Sequence, residues 1–141
     1  MQTLSSLSPQ LAIHLFAAVG AFVLGPFAIW ARLVGKQRPK LHRAFGYAWV
    51  TLMITTAISA LFIRSQFSLS WAGFSFIHLL IPLTLTSLVT SFWALAKGNI
   101  LAHRRRMITL YISACLVAGA FTLAPGRYLG QLVWHQWLGW P

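Results

Sequence analysis

Hydrophobic residues in this chain come in four long blocks, and the charged residues are confined to the stretches between them. The blocks lie at about 11–31, 44–63, 75–96 and 102–123. A run of about 20 apolar residues is the length that an α-helix needs to cross the hydrocarbon core of a bilayer. The pattern therefore predicts an all-α membrane protein: one domain over residues 1–141, with four transmembrane helices in an antiparallel bundle.

Proline and tryptophan positions refine this prediction. Gly25-Pro26 lies inside the first block, so a kink is expected there, and the carbonyl freed by the proline needs a donor from a neighbouring helix. The segment 127–141 spaces its last tryptophans three residues apart, which is typical of an interfacial aromatic tail.

The basic residues predict which way the bundle faces. Nine of the eleven lysines and arginines fall in the first and third connections, and only Arg64 and Arg127 fall on the other side. Short loops rich in Lys and Arg stay in the cytoplasm. We therefore expect both termini outside and a multi-pass protein of the bacterial cytoplasmic (inner) membrane, with anionic lipids attracted to its cytoplasmic face.

The composition excludes several kinds of chemistry. The chain has no Asp and no Glu, and its formal net charge is +11. Paired-carboxylate catalysis, hard-cation sites and carboxylate proton relays are therefore impossible from this chain alone. Nucleic-acid binding would need a basic face on a water-soluble domain, so we expect no nucleic acid. No catalytic residue is assigned, and whether the protein is an enzyme stays open.

Four of the five histidines lie near the start of a separate predicted helix. In an antiparallel bundle His14 and His78 share the outer level, whereas His42 and His103 share the inner level. Histidines that face each other between helices are the arrangement by which a bundle holds a metal or a haem. The sequence therefore predicts one or two haem b groups, with these four side chains as iron ligands.

A haem at the outer level would also need partners for its propionates. Arg64 and Arg127 lie on the same outer side as the first histidine pair and could meet propionates through charge-assisted hydrogen bonds. The small residues that follow His14 leave room for a planar macrocycle, although they equally allow close approach of two helices. At the inner level, His42 and His103 each directly precede an arginine, at the water boundary.

Four segments carry a resemblance to a known family: LHRAFGYAWV at 41–50, FSFIHLLIPLTL at 74–85, GNILAHRRRMITLY at 98–111 and LAPGRYLGQLVW at 123–134. With them the chain resembles an uncharacterised bacterial family of predicted membrane proteins, domain of unknown function 2306, which implies four membrane helices and no particular activity. The chain is also similar to transmembrane di-haem b-type cytochromes. That likeness implies His14 with His78 as one axial pair and His42 with His103 as the other.

Two functions of different classes remain. The first is a membrane electron-transfer protein with either one bis-His haem, between helices 1 and 3, or two, the second between helices 2 and 4, which exchanges electrons with quinone or a redox partner subunit. The alternative is a non-catalytic accessory or structural subunit of a larger membrane complex, whose acidic residues would meet the cations. A transporter is disfavoured by the lack of intramembrane charge, unless the protein forms an oligomer. A homo- or hetero-oligomer is compatible with each of these functions.

Overall fold

Helices account for nearly all of the chain that the structure describes. A computed structural model describes residues 8–33, 38–63 and 79–123, with the single residues 130, 133 and 139. The first three helices are α1 (Pro9–Leu33), α2 (Pro39–Phe62) and α3 (Leu80–Ala96). The fourth is continuous and consists of α4 (Ile100–Leu110), a π-helical segment (Tyr111–Val117) and α5 (Ala118–Thr122). No strand occurs in these ranges, and the predicted all-α class with four helices is confirmed.

Three helices begin earlier than the hydrophobic blocks predict, and the first of them, α1, begins at Pro9 rather than at residue 11. α2 begins at Pro39 rather than at residue 44, so His42 and Arg43 lie inside the helix. Proline suits the first position of a helix because the N–H it lacks would have no helical partner there. α4 begins at Ile100, where the side chain of Asn99 caps it by accepting a hydrogen bond from the N–H of Ala102 at 3.0 Å. Residues 75–78 of the third block and most of the tail 127–141 lie outside the described residues.

Contacts between α1 and α2 run in antiparallel order. His42 near the start of α2 bonds Ala28 near the end of α1, and His14 near the start of α1 bonds Ser59 near the end of α2. A tight turn joins α3 to α4 in the same antiparallel sense. Gly98 in this turn has φ 74°, a left-handed conformation that glycine adopts without strain. The predicted direction of the bundle in the membrane stays a prediction.

Side chains are distributed as in a membrane bundle. The buried residues of α1 are all small: Ala17, Ala21, Gly25, Ala28 and Ala31. Large apolar side chains face outward instead, with Phe16 79% exposed and Val89 68% exposed. In lipid, small residues let helices approach closely while large apolar residues need no protein cover. By length and composition α1 and α2 could each cross a membrane, and α3 is a shorter apolar helix.

The Gly25-Pro26 step of α1 is tied to the fourth helix by Tyr111. Pro26 has no N–H, so the carbonyl of Phe22 lacks its usual helical donor. The hydroxyl of Tyr111 donates to that oxygen at 3.0 Å, which confirms the predicted rescue by a neighbouring helix. The tyrosine ring occupies the space that a Cβ on residue 25 would take. Glycine is therefore required at this crossing.

The π-helical segment turns two buried side chains towards α2. Its buried residues are Tyr111 and Cys115. The rings of Tyr111 and Trp49 have centroids 6.5 Å apart, and Cys115 Sγ lies 3.8 Å from Met53 Sδ. Since both numbers rise together along the two helices, α2 and the fourth helix run parallel. These residues, with Ala21, Leu88 and Leu110, form the buried apolar cluster of the bundle.

Candidate functional site

A cavity of about 490 Å³ lies at the basic end of the bundle. All four helices contribute to its wall, and both histidines predicted for the inner level, His42 and His103, line it. Three arginines line it as well: Arg32, Arg43 and Arg104. Ligand pockets in proteins commonly have volumes of roughly 300–1,000 Å³. The cavity is therefore of a size that accepts a small organic ligand.

The two cavity histidines are anchored in the same way. Nδ1 of His42 donates to the carbonyl oxygen of Ala28 at 2.9 Å. Nδ1 of His103 donates to Ser91, whose carbonyl oxygen lies at 3.1 Å and whose Oγ lies at 3.0 Å. A carbonyl oxygen can only accept, so each Nδ1 carries the proton and Nε2 of the neutral ring keeps its lone pair. Metal-ligating histidines commonly have this tautomer, with Nδ1–H held by a carbonyl.

His14, predicted for the outer level, repeats this arrangement. Its Nδ1 lies 3.1 Å from the carbonyl oxygen of Thr56 and 3.1 Å from Oγ of Ser59. The Ser59 hydroxyl donates in turn to the Thr56 carbonyl at 3.1 Å. The other side chains predicted for this level lie outside the described residues: His78, Arg64 and Arg127. The outer pair and its propionate partners therefore stay predictions.

Six of the eight described basic residues at the cavity end fall into two groups, and the other two, Lys40 and Arg105, are exposed. One group has partners on helix surfaces: Arg38 over the ring of Trp30, Lys97 over the ring of Trp93, and Arg106 on the carbonyl of Thr90. The other group consists of the cavity residues Arg32, Arg43 and Arg104. Because the chain contains no Asp or Glu, no acidic side chain of its own can neutralise these guanidinium groups. Arg32 is partly exposed, whereas Arg43 and Arg104 are exposed to solvent as well as lining the cavity.

The deep wall of the cavity holds a polar group without a partner. Trp49 is only 4% exposed, and its Nε1 has no hydrogen-bond partner among the described residues. This atom would lie 3.2 Å from a Cβ on Gly25, and both residues line the cavity. This group was not predicted from the sequence. The available signal was the seven-residue spacing from His42 to Trp49, which puts both on one face of α2.

The sequence also identifies the chain's relatives. A family model described as Predicted membrane protein (DUF2306) matches residues 11–128. The chain belongs to this family. The match extends into every described helix and confirms the predicted membrane character. No curated protein and no solved structure matches the chain.

The metal-binding and polar side chains near the cavity decide which kinds of ligand it suits in this DUF2306 protein. Within the described ranges, no three His, Cys, Asp or Glu side chains lie close enough together to hold a metal ion. A bare ion would therefore have too few protein ligands, whereas a haem brings four nitrogens of its own and needs only axial ligands. The side chains that line the cavity supply two imidazoles, three guanidinium groups and one indole.

Proposed function

We propose that this membrane protein binds a b-type haem in the cavity at its basic end and transfers single electrons. His42 and His103 would be the axial ligands. The observation that supports this best is their shared hydrogen bonding, because each Nδ1 is held by a backbone carbonyl and each Nε2 keeps a lone pair. When bound, haem would supply the one-electron chemistry that the side chains of this chain lack.

The charge and shape of the cavity support a haem as its ligand. Arg32, Arg43 and Arg104 line the cavity and would bind the two propionates through charge-assisted hydrogen bonds. Small residues form part of the remaining wall: Gly25, Ala28 and Gly46. Of these, Gly46 has nothing within 4 Å of the position of a Cβ, which leaves space beside His42 for a flat ring. The half-buried rings of His42 and His103 are oriented by α1 and α3, respectively, through their Nδ1 hydrogen bonds.

A second haem is proposed at the outer level, between α1 and α3. His14 and His78 would be its axial ligands, with Arg64 and Arg127 as propionate partners. The hydrogen bond from Nδ1 of His14 to the Thr56 carbonyl supports this, because it repeats the arrangement in the cavity. Haems at two levels would give electrons a route across the membrane, with quinol or a redox partner subunit as the donor.

An absorbance spectrum tests the haem proposal. Protein purified from haem-replete cells should give a reduced-minus-oxidised haem band, and His42→Ala and His103→Ala should each remove the haem of the cavity. His135→Ala is the matched control, since His135 belongs to none of the proposed pairs. A colourless wild-type preparation would refute haem binding. A full haem content in both cavity variants would refute the cavity as its site.

We propose the bacterial inner membrane as the location, with the basic end in the cytoplasm and both termini outside. The charge distribution supports this orientation, and exposed cations such as Lys40 and Arg105 would contact anionic lipids. In a Cys115→Ser background, Lys40→Cys should react with a membrane-impermeant thiol reagent only in opened cells. Gln10→Cys, at the other end of the bundle, should react in spheroplasts. The reverse result would invert the topology.

A role as accessory subunit is the second candidate. Exposed basic residues in a chain without Asp or Glu favour it, because a partner's acids could pair with them. Purification in mild detergent tests this candidate. A stoichiometric acidic membrane partner, together with a colourless complex, would support the accessory role over electron transfer.

A further inference from the structure

We propose that the indole N–H of Trp49 donates a hydrogen bond to a carboxylate oxygen of the ligand in the cavity. Trp49 would thus be a second anchor for an anionic group, on the opposite side of the histidines from Arg32. The inference rests on the proposed function, since the ligand is taken to be a haem with two propionates. It adds a ligand-binding residue and defines how the propionate edge of the ring is held.

The position of the indole supports this role. Side chains on a helix lean towards its N-terminus, and the N-terminal end of α2 is the cavity end. The Trp49 ring therefore reaches towards His42 and brings its Nε1 beside Gly25 on α1. Gly25 and Trp49 both line the cavity, and the ring of Tyr111 packs into the space beside Gly25, so the N–H belongs to a wall that these three residues form.

The neighbouring groups do not satisfy this N–H. The hydroxyl of Tyr111, whose ring contacts the same glycine position, donates to Phe22. The carbonyl of Ala28, one turn along α1, accepts from His42. A buried donor without an acceptor is costly, and buried N–H groups in proteins are rarely left unpaired. A ligand oxygen in the cavity would supply the missing acceptor.

The spacing along α1 fits two carboxylates of one ligand. Gly25 and Arg32 are seven residues apart, which corresponds to about 10 Å along a helix. Ala28, whose carbonyl anchors His42, lies between them. A ligand held by His42 would therefore have Arg32 about one turn away on one side and the Trp49 N–H about one turn away on the other. A haem with its propionate edge turned towards α1 presents one carboxylate in each direction.

The test compares haem with its dimethyl ester. Trp49→Phe keeps a flat ring in the core but removes the N–H. Trp93→Phe is the control, because Trp93 is 60% exposed and contacts Lys97 outside the cavity. In titrations of the purified apoprotein, Trp49→Phe should bind haem about tenfold more weakly than the wild type does. Trp93→Phe should bind like the wild type, and the ester should abolish most of the effect of Trp49→Phe.

Equal haem affinity of the wild type and Trp49→Phe would overturn the inference. An equal loss of affinity for haem and for its dimethyl ester would also overturn it, because it would indicate an effect of packing alone. A wild type that takes up no haem would overturn the proposed function and this inference together, so the wild-type titration distinguishes the two failures. Should Trp49→Phe fail to fold, the wild type still decides the matter. One indole N–H signal in its NMR spectrum should move downfield when zinc protoporphyrin is added, but not when the dimethyl ester of zinc protoporphyrin is added. If the two compounds gave the same shift, the inference would be overturned.

Discussion

Replacing Tyr111 by Phe tests how α1 is held to the fourth helix. The change keeps the ring against Gly25 but removes the hydroxyl that donates to the Phe22 carbonyl at 3.0 Å. That carbonyl has no helical donor because Pro26 lacks an N–H. An orphaned buried polar group costs about 1–3 kcal/mol, whereas interhelical hydrogen bonds in a membrane protein average about 0.6 and reach about 1.7 kcal/mol. We expect the free energy of unfolding to fall by about 1–2 kcal/mol.

A second substitution isolates the hydrogen bond from other effects. Pro26→Ala supplies an N–H at residue 26, which can donate to the same Phe22 carbonyl within α1. In this background Tyr111→Phe no longer leaves the acceptor orphaned. Its cost should fall to a few tenths of a kcal/mol, which corresponds to a coupling energy of about 1 kcal/mol between the two sites.

Reversible unfolding in mixed detergent micelles, followed by circular dichroism, measures the four proteins of this cycle. The slope of each unfolding curve is fitted separately, because a change in slope would reveal a change in the unfolded state. An equal cost of Tyr111→Phe in both backgrounds would refute the reasoning. It would mean that the tyrosine hydroxyl stabilises the bundle by something other than the carbonyl that the proline frees.

Three further changes test other contacts. Gly25→Ala should lower the free energy of unfolding by about 1–3 kcal/mol because the new methyl group overlaps an aromatic ring; Gly119→Ala, with nothing within 4 Å, should leave it unchanged or raise it slightly in the same assay. Ser91→Ala should cost about 1 kcal/mol, since it removes the hydroxyl group that is hydrogen-bonded to His103 Nδ1. An unchanged unfolding midpoint would contradict this. Gly46→Leu adds a side chain at a cavity position with open space, so the haem content should fall severalfold while the unfolding midpoint stays unchanged. Full haem content would contradict the assignment of the haem to this cavity.

The number of helices and their order could be predicted from hydropathy, because a bilayer requires long apolar segments with satisfied backbones. The helix starts could not. Hydropathy places the start of α2 at residue 44, after the last charge of the connection. The helix in fact starts at Pro39, so it carries Lys40, His42 and Arg43 ahead of the apolar block. Basic side chains extend into water from the end of a helix, so charge marks the membrane boundary rather than the helix boundary.

Part of the candidate site could also be predicted, because antiparallel helices bring the same ends to one level. That argument paired His42 with His103, and both line one cavity. It could not show which cations line the cavity. The basic connections were interpreted chiefly as signals of orientation and as a surface for anionic lipids, although Arg32 and Arg104 line the cavity. Charge counting gives the side of the membrane but not the direction of a side chain, which depends on helix rotation and packing.

Whether the basic side chains line the cavity or lie on the outside of the bundle bears on which of the two candidate functions is correct. An accessory subunit would need its basic residues on the outside, where a partner's acids can reach them. Arg32 is only partly exposed and lines the cavity, while the chain has no carboxylate side chain to neutralise it. Such a group would be stabilised by an anion in the cavity. Arg43 and Arg104 also line the cavity but are exposed, so they, like Lys40, are equally compatible with lipid or protein partners, and only Arg32 counts in favour of a small anionic ligand.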